Sequence, residues 1–271
     1  MHEHMSKMPL EAFSRDEVVG LIPAGGMATR IAPLPCSKEL FPIGFRRGTQ
    51  EHASCPKVVS HYLLEKMRYA GISRAYFVLR PGKWDIPAYF GDGSMLDMNL
   101  AYLMLGAPYG VPFTLDQAYP FVRRATVAFG FPDILFESDD GFIKLLDRQL
   151  TTHADVTLGL FPANDPYSQE DRVNFKNGYQ VREIVLRPLE SELRYSWAIA
   201  VWNLNFTQFL HDYVRENKPN AERGVELSAG HALQAAIQAG LRVESLIVNE
   251  KPYLDIGTPK NLLRAVKDNV W

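Results

Sequence analysis

Short apolar runs and longer amphipathic stretches alternate along the first part of the chain, up to about residue 162. The apolar runs are four to eight residues long and rich in β-branched and aromatic side chains, as expected of strands buried on both faces. They cover residues 18–22, 75–79, 125–129 and 156–161. Helical spacing predicts helices over residues 60–71, 115–122 and 141–152. The alternation predicts an α/β fold with a doubly wound, mostly parallel, Rossmann-like sheet.

The pattern changes after residue 163. Residues 164–202 contain several strand-like runs separated by polar turns, and the Asn177-Gly178 pair is a strong hairpin signal. We expect a small lobe of antiparallel strands here. Two further helices are predicted over residues 206–215 and 228–239, a strand over 242–248 and a last helix that begins after Thr258. Residues 45–55 are polar and predict a loop, and residues 1–17 predict an N-terminal tail.

Composition limits the classes of partner. The chain has 271 residues, 46% of them hydrophobic, with 29 basic and 31 acidic side chains and a formal net charge of −2. This balance favours neither nucleic acid nor an anionic membrane as a partner. The two cysteines, Cys36 and Cys55, form no disulfide or zinc pattern, and no apolar segment is long enough to predict a membrane span or a signal peptide. We therefore expect a soluble cytoplasmic protein.

The first predicted strand leads into a loop suited to phosphate. The stretch Ala24-Gly25-Gly26-Met27-Ala28-Thr29-Arg30 is small and glycine-containing, so its backbone N–H groups can approach a ligand closely. Arg30 and Lys38 add two cations. The spacing fits neither the dinucleotide fingerprint nor the P-loop, since the third glycine and the Gly-Lys-Ser/Thr triplet are missing. From the residues alone, an ordinary glycine-rich turn with surface cations remains an equal alternative.

Asp133 follows directly after a predicted buried strand. This is where open α/β sheets bind ligands, although an aspartate after proline also caps turns. A second acid, Asp255, precedes the cap formed by Thr258 and Pro259.

Two motifs resemble the sugar-1-phosphate nucleotidylyltransferases, and the glucose-1-phosphate thymidylyltransferases in particular. The first is matched by nine residues of the loop and the segment after it: Gly25, Gly26, Thr29, Arg30, Pro33, Ser37, Lys38, Leu40 and Pro42. The second is Asp255-Ile256-Gly257-Thr258-Pro259. The resemblance extends from about residue 18 to residue 266 and is weakest in the middle.

The resemblance implies a GT-A-like fold and nucleotidyl transfer from a nucleoside triphosphate to a sugar-1-phosphate. It divides a single domain, residues 18–271, into a nucleotide-binding part (18–162) and a part that holds the sugar lobe (163–271). Asp133 and Asp255 are implied as Mg²⁺ ligands, with Arg30 and Lys38 as catalytic cations. Arg187 is implied to bind the sugar phosphate. The implied nucleotide-binding residues are Ala24, Gly25, Gly26, Met27, Ala28, Thr29 and Gly110. A homo-oligomer is also implied as possible.

Three departures from the family pattern affect what can be carried over. Ala28 replaces the last loop glycine and would be strained if its φ were positive. Met104 and Leu105 stand where thymidylyltransferases have a base-reading glutamine, so no base preference is predicted. Leu186 replaces a glutamate that binds sugar hydroxyls. Two alternatives therefore stay open: a transferase for a non-sugar phosphate such as phosphocholine, and a non-catalytic nucleotide-binding relative.

Overall fold

The fold is described from a computed structural model covering residues 18–47, 54–106, 109–164, 166, 168–176 and 178–268. The predicted tail (1–17), the middle of the predicted 45–55 loop and Asn177 lie outside these residues.

Strands and helices alternate through most of the described chain. The strands are β1 (Val18–Ala24), β2 (Pro42–Arg47), β3 (Ser54–Val58), β4 (Arg74–Leu79), β5 (Asn99–Met104), β6 (Thr126–Gly130), β7 (Ile134–Leu135), β8 (Val156–Pro162), β9 (Arg172–Phe175), β10 (Val181–Val185), β11 (Tyr195–Trp202), β12 (Val243–Ile247) and β13 (Leu254–Asp255). The α-helices are α1 (Val59–Tyr69), α2 (Asp85–Phe90), α3 (Val111–Asp116), α4 (Tyr119–Val122), α5 (Gly141–Thr152), α6 (Leu204–Glu222), α7 (Ala229–Gln238) and α8 (Pro259–Asp268).

A seven-stranded sheet organises the molecule, with strand order β12-β8-β11-β6-β1-β4-β5. β1 pairs in parallel with β4 and β6, β4 with β5, and β12 with β8. Only β11, among the described strands of this sheet, runs antiparallel to its neighbours, β6 and β8. The predicted α/β fold with a mostly parallel sheet is confirmed.

Apolar side chains cover both faces of the sheet, which is why the strands read as nearly continuous apolar runs. Alternate residues of β1 enter opposite cores. Val19 and Leu21 pack with residues of α3, α6 and α7, whereas Val18 and Ile22 pack with residues of α1 and α5. The two helical layers therefore hold β1 rigidly, and the loop that follows it starts from a fixed position.

Three predicted elements need correction. Residues 45–47 and 54–55 belong to the antiparallel strands β2 and β3 and not to a loop. Residues 115–122 form parts of two short helices, because the helical hydrogen bonding is interrupted between α3 and α4. The predicted antiparallel lobe contains the β9–β10 hairpin but not β11, which is buried within the central sheet.

No helix among the residues described combines the length and the apolar character needed to cross a membrane.

Candidate active site

Asp133 and Asp255 are brought together by a short antiparallel pair of strands. β7 begins directly after Asp133, and β13 ends at Asp255, which pairs with Ile134. The backbone N–H of Ile256 donates to the carbonyl of Asp133 at 3.1 Å. Residues 122 positions apart in the chain therefore lie side by side at the carboxyl end of the sheet, where open α/β folds bind ligands.

Each carboxylate lies against one of the cations identified from the sequence. Lys38 Nζ donates to Asp133 Oδ2, and only 15% of the lysine side chain and 10% of the aspartate side chain are exposed. Arg30 Nη2 lies 3.5 Å from Asp255 Oδ2, in a more open position. The four side chains form one compact cluster of alternating charge.

The charges in this cluster influence one another. Burial and the neighbouring charge of Asp133 raise the pKa of Asp255, against the opposing effects of the Gly257 N–H, Lys38 and Arg30. Burial disfavours the charged form of Lys38, but Asp133 and Glu39 outweigh it and raise the pKa of the lysine. Lys38 is thus a permanent cation beside two acids that repel each other.

The loop after β1 curls over Lys38. An added Cβ on Gly26 would lie 3.7 Å from Lys38 Nζ, so this backbone is close to the cation. Ala28 has φ +55°, and the curl closes through a hydrogen bond from Ile31 N to the Ala28 carbonyl at 3.0 Å. The position thus requires the left-handed backbone that glycine adopts freely, and the predicted strain at Ala28 is confirmed.

Several residues of the Asp-Ile-Gly-Thr-Pro segment also have a structural role. An added Cβ on Gly257 would lie 2.9 Å from both Arg30 Nη2 and Asp255 Oδ1, so glycine leaves space for that ion pair. Gly257 N donates to Asp255 Oδ1 at 2.7 Å and fixes the carboxylate. Thr258 Oγ1 accepts from Asn261 N at 3.3 Å and caps α8, which begins at Pro259 as predicted.

The paired carboxylates fit a magnesium ion chemically. Mg²⁺ prefers hard oxygen ligands and usually takes one or two carboxylates together with substrate phosphates. Asp133 and Asp255 are adjacent through their backbones, and the charge of Asp133 raises the pKa of Asp255, so a cation near both carboxylates would be stabilised. Within the described parts of the chain, no group of three or more His, Cys, Asp or Glu residues suited to a metal was found. Magnesium binding by this pair remains a prediction.

Gly110 immediately precedes α3 and lies against the backbone of Leu227. Its φ is +109°, and an added Cβ would lie 2.1 Å from the Leu227 carbonyl oxygen. Val111 N also donates to that oxygen at 3.0 Å. The close approach of Leu227 therefore explains this glycine by itself, and its contact with a nucleobase remains a prediction.

Arg187 is exposed on the turn after β10, with φ +37°. It lies beside Asp171, whose pKa is raised by burial and lowered in part by the Arg187 charge and backbone N–H. Tyr253 is buried nearby, and burial together with the charges of Glu170, Asp255 and Asp171 raises the pKa of its hydroxyl. The binding of a sugar phosphate by Arg187 remains a prediction.

Sequence reasoning did not identify three further charged residues that lie near Lys38. Glu39 is completely buried beside it, and Lys83 and Asp85 reach this segment from the loop after β4. One signal was present. Lys83 and Asp85 follow a buried parallel strand, so they leave the same edge of the sheet as the loop after β1.

Comparison with known proteins gives consistent relatives, although no protein-family model matches the chain. The nucleotidyltransferase Agl11 of low-salt glycan biosynthesis from Haloferax volcanii is 22% identical over 249 residues, which are 91% of this chain and 64% of that protein. A glucose-1-phosphate thymidylyltransferase from Mycolicibacterium smegmatis is 30% identical over 122 residues, 43% of this chain and 38% of that protein. The chain thus spans less than two thirds of the length of either relative.

A solved structure of a nucleotide-sugar enzyme has a similar fold. A UDP-glucose pyrophosphorylase in complex with UDP-glucose superposes with a TM-score of 0.74 at 14% identity, over 92% of this chain and 97% of that chain. At this identity the likeness concerns the fold. Together with the named relatives, it confirms that this chain resembles the sugar-1-phosphate nucleotidylyltransferases.

Proposed function

We propose that the protein transfers a nucleotidyl group from a nucleoside triphosphate to a sugar-1-phosphate, releasing pyrophosphate. The observation that carries the proposal is the convergence of Asp133 and Asp255 on Lys38 and Arg30, below the loop after β1. The relatives named above are nucleotidyltransferases, which supports the same reaction class.

The reaction brings two anions together and requires little proton transfer, because a sugar phosphate is already ionised. The protein therefore has to position the reactants and balance negative charge. Lys38 lies within reach of Gly26, so its ammonium would meet the α-phosphate of a triphosphate held by that backbone. Arg30, which is 62% exposed, is free to turn from Asp255 towards the departing pyrophosphate. Arg187 would hold the incoming phosphate through a bidentate contact.

Magnesium held by Asp133 and Asp255 would neutralise phosphate oxygens. The remaining work falls on the side chains of the protein. Buried Lys38 keeps its charge next to Asp133 and can stabilise the negative charge that grows at the α-phosphate in the transition state. The backbone N–H groups of the loop would orient the triphosphate for attack from the Arg187 side.

The test is pyrophosphate release from a panel of triphosphates, each combined with Mg²⁺ and with several sugar-1-phosphates, phosphocholine or no acceptor. Release that depends on a sugar-1-phosphate is the expected result. Release with phosphocholine alone would instead identify the non-sugar transferase. Mg²⁺-dependent thermal protection by triphosphates without any release would identify a non-catalytic binder.

Substitutions then test the assigned residues. Lys38→Ala and Asp133→Asn should each lower the rate about 10²–10³-fold, equivalent to about 3–4 kcal/mol of barrier, because a preorganised charge is lost. Lys218→Ala is a matched control, since Lys218 is an exposed lysine of α6 paired with Glu222 at 3.9 Å. Near-wild-type turnover in either site variant would refute the assignment.

A further inference from the structure

The two neighbours of Lys38 in the chain are both tied to one loop. This loop, residues 80–85, connects β4 to the start of α2. Asp85 accepts hydrogen bonds from the backbone N–H of Ser37 at 2.6 Å and from its hydroxyl at 2.7 Å. On the other side, Lys83 Nζ donates to Glu39 Oε1 at 2.6 Å. Lys38 is therefore flanked by two anchors that originate two residues apart.

Local backbone bonds make this segment short and stiff. Leu40 N donates to the Ser37 carbonyl at 2.8 Å, and Phe41 N donates to the Lys38 carbonyl at 3.1 Å. The hydroxyl of Ser60 in α1 donates to the Glu39 carbonyl at 2.7 Å. A single turn, held from α1 and from the 80–85 loop, thus determines where the Lys38 side chain begins.

The buried ion pair between Glu39 and Lys83 is not explained by a gain in stability alone. The Glu39 side chain is 0% exposed and that of Lys83 is 10% exposed. Glu39 Oε2 is buried and has no hydrogen-bond partner among the described residues. Buried ion pairs usually gain little over apolar packing, and an unpaired buried oxygen is unfavourable. Such a pair is better explained by the geometry that it fixes, and here the fixed residue is next to Lys38.

We propose that the 80–85 loop is a positioning element for Lys38, in which Asp85 and Lys83 act through Ser37 and Glu39 to hold the lysine amine at Asp133. The inference rests on the proposed function, in which that amine stabilises the transition state. A small displacement of such a group is expensive, since a shift of about 1 Å can reduce a rate about 10²-fold. Asp85 and Lys83 touch no reacting atom in this scheme and act through the residues beside Lys38.

A double-mutant cycle tests the coupling to Lys38. Asp85→Ala should lower kcat about 10–100-fold, with the KM for the triphosphate changed less than about threefold. Asp85→Asn should recover part of the loss, because its amide oxygen still accepts from Ser37. In a Lys38→Ala background, Asp85→Ala should cause no further loss. An equal fold loss in both backgrounds would overturn the proposal. If Asp85→Ala does not fold, Ser37→Ala, which removes only the hydroxyl bond, should show a smaller loss with the same dependence on Lys38.

A second readout does not depend on turnover. The rate at which an amine-reactive ester labels Lys38, followed by mass spectrometry, should rise at least about threefold in Asp85→Ala as the lysine leaves its anchored position. Glu244→Gln is the matched control: Glu244 is a buried carboxylate paired with Arg148 at 2.8 Å, on the strand β12 at the opposite edge of the sheet. Unchanged labelling in Asp85→Ala would overturn the positioning role. Absence of pyrophosphate release in the wild type would refute the proposed function separately, while the labelling result would still decide this inference.

Discussion

Replacing Ala28 with glycine should stabilise the protein, because the alanine occupies a backbone conformation with φ +55°. An L-residue in the left-handed region is disfavoured by about 1–2 kcal/mol. Glycine removes that strain but gains about 0.4–1 kcal/mol of freedom in the unfolded chain. The expected net gain is about 0.5–1 kcal/mol. For a chain of this size, each kcal/mol corresponds to about 2–4 °C in Tm.

Urea unfolding measures this gain as a higher midpoint at an unchanged m-value. His153→Gly is the matched control. His153 has φ +52° at the end of α5, just before the amino end of β8 and therefore away from the sheet edge that carries the cluster. Both variants should be stabilised alike, and only Ala28→Gly should alter triphosphate protection in a thermal-shift assay. A loss of stability in Ala28→Gly, with a gain in His153→Gly, would refute the strain argument.

Two further predictions concern crowding and buried charge. In Gly257→Ala, the triphosphate concentration needed for half-maximal Mg²⁺-dependent thermal protection should rise about tenfold, because the added Cβ would displace both Arg30 and Asp255. An unchanged concentration would contradict this. His61 is fully buried, and burial, followed by Arg46 and Lys57, lowers its pKa to about 4. The unfolded chain therefore binds a proton at His61 at a higher pH than the folded chain does. The free energy of unfolding falls as the pH drops from about 6.5 towards 4. Urea unfolding at pH 7 and pH 5 should give a loss about 2 kcal/mol larger for wild type than for His61→Leu, and equal losses would disprove the effect.

The fold and the family resemblance could be predicted from local signals in the sequence. Buried parallel strands and amphipathic helices carry distinct patterns, and both motifs lie where strands end. The prediction that Asp133 and Asp255 converge came from the resemblance to the family, and the structure brings the two residues together. Their roles as metal ligands, and those of Arg30, Lys38 and Arg187, remain predictions.

Other features left no local signal. β11 is an apolar run like its parallel neighbours, and its reversed direction is set by tertiary pairing that no single strand encodes. The contacts of Lys83 and Asp85 with the segment around Lys38 join residues more than forty positions apart and follow no period. The strain at Ala28 could be anticipated only because the related motif has glycine there.

Pairing within the cluster also bears on how a substrate arrives. Lys38 rests on Asp133 and Arg30 faces Asp255, so two positive and two negative charges cancel within a few ångströms. A cluster with so little net charge exerts a weak field beyond about 10 Å at ordinary ionic strength. A polyanion would then have to replace Asp133 and Asp255 as the partner of Lys38 and Arg30 at contact distance. Because long-range attraction is weak, added salt would slow the encounter only slightly.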